Sequence, residues 1–348
     1  MNYRRLGITV LIITSTVYIH AQNNLDNALN SIKLNNKTIN SMEQYVIATN
    51  LENRIGLTLE NPSVSADYMI GRPISGGNQL DMLAVQGFDF PSSYSKKKEL
   101  AGQKEKLLQI AKERSIQDIL LESKLVILDL IYLNQQMDVL EKRKVNAEKN
   151  LTSYQHKYEL EQISALELNK AKIHLLNVQS QLRSFENQSA IKTHHLTELN
   201  GGISISIADQ TYPLSSTVPE FESINDTIEA HDPNLKWLIQ QNNTFQTQID
   251  VRKAMALPSF EVGYHYQSVL GQKFNGVHLG LTIPLWENKN TVKASVANAR
   301  FGDLEIEEHK VQHHYEIKEL YQNYENLKLA LHDYKLVLES LNSEQLLT

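Results

Sequence analysis

From Ser95 to Leu199 apolar residues recur at spacings of three and four, with a single lysine interrupting the run. The first limb carries Leu130, Leu133, Met137, Leu140, Lys144, Ala147, Leu151, Tyr154 and Tyr158, and the second Leu168, Ala171, Leu175, Val178, Leu182, Phe185 and Ser189. So narrow a stripe is a coiled-coil seam, so the stretch must form two helices folded back on each other. The reversal falls near Ile163-Ser164. There Ser164 and Glu167 have capping-box spacing, in which the hydroxyl takes an orphan N–H and the carboxylate returns to the serine amide. A helix over residues 96–160 would reach roughly 100 Å at about 1.5 Å per residue, far beyond the diameter of an ordinary domain.

Composition narrows what such a rod can belong to. The 348 residues are 41% hydrophobic and 21% charged with a formal net charge of −6, which suits a folded chain and gives no basic bias toward nucleic acid. Residues 1–21 read as a secretory signal: Arg4 and Arg5, the apolar run Leu6 to Ile19, and Ala21 before a cut ahead of Gln22. There is no cysteine, hence neither a disulfide framework nor a lipid-modified N-terminal cysteine. No later stretch of 18 or more apolar residues occurs, so the one physical route into a membrane is a closed β-barrel.

Short stretches with a period of two supply candidate strands. After a first helix over residues 25–55 that ends near Gly56, Val64, Ala66, Tyr68 and Ile70 alternate with Ser63, Ser65, Asp67 and Met69. A second run sets Met82, Ala84, Phe88 and Phe90 against Asp81, Leu83, Val85, Gly87 and Asp89, with Gln86 breaking the apolar side and Pro91 closing it. The same grammar returns about 195 residues later. Phe260, Val262, Tyr264 and Tyr266 alternate after Pro258, and Val277, Leu279, Leu281 and Ile283 alternate before Pro284. The chain therefore divides into a signal (1–21), repeat one (22–200; strands 61–70 and 80–91, hairpin 96–200), an irregular connector (201–230) and repeat two (231–348). Repeat two opens on a helix over 232–256 capped by Asp232-Pro233, then gives strands 258–268 and 274–284 and a long helix over 292–341. By the same symmetry a final return helix of about 60 to 80 residues would follow, and the sequence ends at Thr348 before it.

The expected fold is mainly α with a transmembrane β part. The strand openings Asn61-Pro62-Ser63-Val64 and Leu257-Pro258-Ser259-Phe260 are matched by the closing phrases Gly87 to Pro91 and Gly280 to Pro284. With the post-turn segment Ile163 to Ala171, they make the chain resemble the TolC-like outer-membrane efflux factors over nearly all of residues 24–348. The resemblance implies a homotrimer in the outer membrane of a Gram-negative bacterium. Each subunit would give four strands to a twelve-stranded β-barrel and its helices to a long antiparallel coiled-coil α-barrel in the periplasm. It implies a passive exit duct in tripartite efflux or type I secretion, coupled to an inner-membrane pump through a periplasmic adaptor. The tip residues Leu160, Glu161, Gln162, Ile163 and Ser164 correspond to the adaptor-docking position, although the family's usual glycine near Glu161-Gln162 is missing. Tyr68, Phe88, Phe90, Phe260, Tyr264, Tyr266, Leu279, Leu281 and Trp286 are the expected lipid-facing and aromatic-belt positions.

Two other readings compete. A periplasmic coiled-coil adaptor would also have a signal and a long hairpin, but one hairpin inserted between β-rich halves, whereas here the strand pair occurs twice. A soluble sheet with one buried face leaves the paired rods without purpose. No phosphate loop, nucleophile elbow or H-E-x-x-H points to an enzyme or a cofactor. His309 and His313 are four apart on a helix, and His194-His195 and His313-His314 are adjacent. No carboxylate accompanies them in a metal-binding pattern, so solvent-facing or seam histidines are expected and no metal site is assigned. The Lys96-Lys97-Lys98 run is expected on a solvated face beside the barrel.

Overall fold

The computed structural model describes residues 24–73, 76–213, 218–286 and 288–345; the expected signal segment lies outside them. Its helices are α1 (24–35), α2 (Lys37–Glu52), α3 (Pro91–Glu159), α4 (Ala165–Leu199), α5 (Phe221–His231), α6 (Pro233–Ala254) and α7 (Thr291–Gln345). Four strands, β1 (Ser63–Ile70), β2 (Asn78–Phe88), β3 (Ser259–Val269) and β4 (Gln272–Thr282), form one sheet. The chain separates into two compact units, one of residues up to Gln44 with Ser115–Val218, the other of Tyr45–Arg114 with Pro219 onward.

In the first unit α1, α3 and α4 pack around Leu25, Ala28 and Ile32, Val126, Ile127, Leu130 and Ile131, and Leu196 and Leu199. A smaller cluster of Leu140, Val178 and Leu182 with Met137 and Phe185 continues the α3–α4 seam. Leu130, Leu133, Leu140, Ala147, Leu168, Val178 and Leu182 are buried as the heptads predict, whereas Tyr154 and Tyr158 are exposed, so the seam opens toward the turn. Lys192 and Asp129 (2.6 Å) and His195 and Glu122 (3.1 Å) pair across the two helices. The first helix, expected to be continuous over 25–55, is broken at Asn36. The buried Asn36 accepts from the Ile39 amide as an N-cap (3.0 Å) and donates to the Leu199 carbonyl (2.7 Å). It thus starts a new helix and ties it to the end of α4. Beyond Gly201 the connector runs along α3, where Asn134 donates to the Ile207 carbonyl (2.9 Å) and Gln135 to that of Gln210 (2.6 Å).

In the second unit α6 packs on α7 and on the first turns of α3. Ser93 donates to the Ala254 carbonyl at the end of α6 (3.1 Å), Lys96 reaches Asp250 (3.4 Å), and the Arg114 guanidinium lies over the Trp237 ring at 5.5 Å. Gly302 allows the close approach of α7, since a Cβ there would stand 2.9 Å from the Asn242 side chain and 3.2 Å from Phe245. Pro91, expected to end the second strand, instead opens α3, and β2 stops at Phe88. Proline in the first turn costs nothing there, because its missing N–H has no intrahelical partner to lose. The connector is also shorter than expected: residues 221–231 form α5, which packs on α7 through Phe221 against His314 and Tyr321. Lys97 pairs with Asp89 (2.7 Å) and Lys96 with Glu99 (2.9 Å), so two of the three lysines are engaged in ion pairs.

The sheet order is β1-β2-β3-β4, every pair antiparallel. The β3–β4 reversal is two residues long, with Leu270 at φ 49° and Gly271 at φ 81°, the primed turn whose twist matches that of its strands. Among the described residues β1 and β4 each pair on one side only, which leaves two open edges.

Candidate functional site

The strand registers decide which residues share a face. Val64 stands opposite Ala84, Ala84 opposite Tyr264, and Tyr264 opposite Val277. Two rows further along the same face, Phe88 faces Phe260 and Phe260 faces Leu281. One side of the four strands thus carries Val64, Ala66, Tyr68 and Ile70; Leu80, Met82, Ala84 and Phe88; Phe260, Val262, Tyr264 and Tyr266; and Val277, Leu279 and Leu281, with Asn78, Ser268, Lys273 and Asn275 at the end nearest the turns. Gln86 breaks this face, as its period indicates, and its amide donates to the Glu60 carbonyl (2.8 Å). The face is bare: Val64 is 71% exposed, Val277 and Leu279 75%, and Trp286, four residues past β4, 80%. A soluble sheet would have buried it against its own chain; among the described residues no buried core forms on this side.

Rings gather near one end of this face. Phe88 stacks on Phe260 with centroids 5.7 Å apart and Phe90 tilts onto the same ring at 6.3 Å. Tyr68 lies toward the other end, its hydroxyl accepting from Asn78 (2.6 Å). The expected belt positions Tyr68, Phe88, Phe260, Tyr264, Tyr266, Leu279 and Leu281 are therefore on one surface, with Phe90 and Trp286 just outside the strands. The opposite face carries Ser63, Ser65, Asp67, Asp81, Glu261, His265, Gln267 and His278, with Leu83, Val85 and Phe274 among them. On it His265 Nε2 meets Asp81 at 2.5 Å. β2, β3 and β4 have eleven residues each. At about 3.4 Å per residue and a tilt near 45°, such strands rise about 26 Å, the height of the apolar band of a transmembrane barrel.

At the helical hairpin, Leu160 to Ser164 form a compact turn. The Glu161 amide donates to the Tyr158 carbonyl (3.0 Å) and the Gln162 amide to that of Lys157 (2.9 Å). This is a Schellman ending whose left-handed residue is Glu161 at φ 58°. A glutamate here adopts the left-handed conformation that glycine takes most readily. Ser164 then caps α4: its hydroxyl accepts from the Glu167 amide (3.3 Å) and the Glu167 carboxylate accepts from the Ser164 amide (2.8 Å). The Ser164 amide and hydroxyl, both bonded to that carboxylate, hold its pKa below the ordinary glutamate value. Leu160 is exposed and Ile163 half-buried, so the tip offers an apolar and an acidic group side by side.

A third cluster was not legible in the sequence. Asp232, the N-cap of α6, accepts from the Asn234 amide through Oδ1 (2.8 Å). Its other oxygen faces α7, where His309 Nε2 donates to it at 2.5 Å and His313 Nδ1 lies 3.4 Å away. The Asp232 side chain is 3% exposed, and the two imidazole rings stack with centroids 5.2 Å apart. Burial raises the carboxyl's pKa, but the His309 hydrogen bond, the Asn234 amide and the two imidazoles outweigh it and hold the value below the ordinary aspartate range. The carboxylate missing beside the histidine pair thus comes from the cap of another helix. The motif Asp232-Pro233 announced the cap, but nothing in the spacing links it to residues 77 positions away.

This arrangement of long antiparallel helices and one four-stranded antiparallel sheet is similar in fold to solved outer-membrane channels. The solved structure of the Campylobacter jejuni CmeC outer membrane channel aligns with a TM-score of 0.64 at 17% identity over 91% of this chain and 75% of its own. The outer membrane protein VceC from Vibrio cholerae aligns at 0.67 with 12% identity, covering 88% and 80%. The open state of the Neisseria gonorrhoeae MtrE outer membrane channel gives 0.53 at 12% identity, over 86% and 71%. No protein-family model matches the sequence, and no curated protein is detectably similar to it. The chain thus shares the fold of these channels at a sequence distance where only the fold is common ground.

Proposed function

We propose that this chain is the outer-membrane exit duct of a tripartite efflux or type I secretion system, a passive conduit and not an enzyme. The observation that carries the reading is the largely apolar face of four strands, exposed and flanked, among the described residues, by two unpaired edges. A sheet edge left open in hydrocarbon costs several kcal/mol per unsatisfied backbone group, so the strands must close with others. Three copies would give twelve strands, with Tyr68, Tyr264, Val277 and Leu279 toward lipid and Asp67, Asp81, His265 and His278 toward a water-filled lumen. The turn Leu160-Glu161-Gln162-Ile163-Ser164 is the surface for a periplasmic adaptor, through which an inner-membrane pump supplies both energy and choice of solute. In support of a channel over an adaptor, the unit of two strands followed by a long helix occurs twice, and both strand pairs join one sheet.

Cell fractionation tests the proposal. Expressed with its leader in a Gram-negative host, the protein is expected in the detergent-resistant outer-membrane fraction. Recovery as a soluble periplasmic monomer would refute it.

A further inference from the structure

Asp232, His309 and His313 lie together in a part of the fold that the duct reading does not use. We propose that they form a binding site for a first-row divalent transition ion of the zinc class, joining the α5–α6 corner to α7.

The donor set is two imidazoles and one carboxylate, whose ligand atoms all lie within 4.8 Å of one another. Three such ligands and a water make a four-coordinate zinc site, whereas calcium and magnesium favour all-oxygen shells. Two ligands at about 2.0–2.1 Å from a tetrahedral ion stand roughly 3.3 Å apart. The 3.4 Å between His313 Nδ1 and Asp232 Oδ2 already has that value. The 2.5 Å between His309 Nε2 and the same oxygen is a proton-bridged contact. It opens by about 0.8 Å when a metal replaces the proton.

The surroundings support such a site. Asp232 Oδ1 is fixed by the Asn234 amide, which aims Oδ2 at α7 and is the kind of outer hydrogen bond that orients a ligating carboxylate. The adjoining cavity, of about 10 Å³, is bounded by Leu235 and Ile317 and has room for one ion or one water. Neighbouring polar groups are otherwise engaged: Lys310 pairs with Glu229 (3.0 Å), and His314 is turned to Asn225 (3.0 Å) with Phe221 against its ring.

The test is a titration of the full-length, detergent-purified and metal-stripped protein with Zn²⁺ by calorimetry, with Co²⁺ as a spectroscopic probe. One Zn²⁺ per chain and the visible absorption of tetrahedral Co²⁺ are expected. Asp232→Asn keeps a good N-cap while removing the anionic ligand, and His313→Ala removes one imidazole. Each should weaken Zn²⁺ binding at least about 10-fold and abolish the tetrahedral Co²⁺ spectrum, while His194→Ala changes neither. Circular dichroism identifies any variant that fails to fold, and Asp232→Asn alone is then decisive. Absence of stoichiometric binding would overturn the proposal, as would binding that Asp232→Asn leaves intact, since other members of the chain's 12 histidines would then be responsible.

Discussion

At the scale of single residues, the hairpin tip is the clearest case of local chemistry being overruled. Glu161 holds φ at 58°, where an L side chain costs about 1–2 kcal/mol and glycine almost nothing. The Schellman bonds to Tyr158 and Lys157 and the capping box at Ser164 fix both flanks, so the strain stays in one residue. Glu161→Gly should relieve it, less the entropy that glycine loses, for a net gain of about 0.5–1 kcal/mol. Amide hydrogen exchange on the purified full chain is expected to slow about three-fold at Gln162 and in the last turn of α3. Unchanged or faster exchange would mean the turn tolerates glutamate without strain. The Asp232 cap is a different kind of exception: one oxygen serves its own helix and the other serves α7, and only the first is written in local sequence.

Among the elements, those whose signal is local were readable and those that depend on a distant partner were not. The four strands and the α3–α4 hairpin follow from periods of two and of three-and-four, with β2 ending three residues early and α3 starting five residues early where Pro91 changes sides. The break between α1 and α2 was invisible because Asn36 is bonded to the carbonyl of Leu199, 163 residues away. α5 was hidden differently: Phe221, Ile224 and Ile228 have helical spacing, but the Ser, Thr and Pro around them read as connector. In the sheet, the reading places a demand on each face. Val277 lies at the middle of β4 on the apolar side, and Ser65 lies on the polar side of β1. Val277→Arg is expected to cost about 2–4 kcal/mol in a bilayer and to deplete the outer-membrane fraction, while Ser65→Arg should be near neutral. Immunoblots of fractionated membranes would separate the two, and equal levels would show that neither face meets lipid.

For the whole molecule, the question is what completes a sheet that cannot close on itself. β1 and β4 point in opposite directions, as the alternation of four antiparallel strands requires, so β4 of one copy can pair antiparallel with β1 of the next. Closure by identical copies then needs no further element, and a ring is the only arrangement that leaves no edge in hydrocarbon. The chain's lack of cysteine makes this testable by cross-linking without background. Ala66→Cys would be combined in turn with Asn275→Cys, Val277→Cys and Leu279→Cys, all on the same face as Ala66 in the single chain. At the register in which neighbouring copies pair, oxidation should give dimers and a closed trimer on non-reducing gels. Moving the second cysteine to its neighbour in the sequence, Leu279→Cys to His278→Cys, turns it to the other face and should abolish the bond. Cross-links at no register, with the protein still folded in the membrane, would mean that something other than a second copy covers these edges.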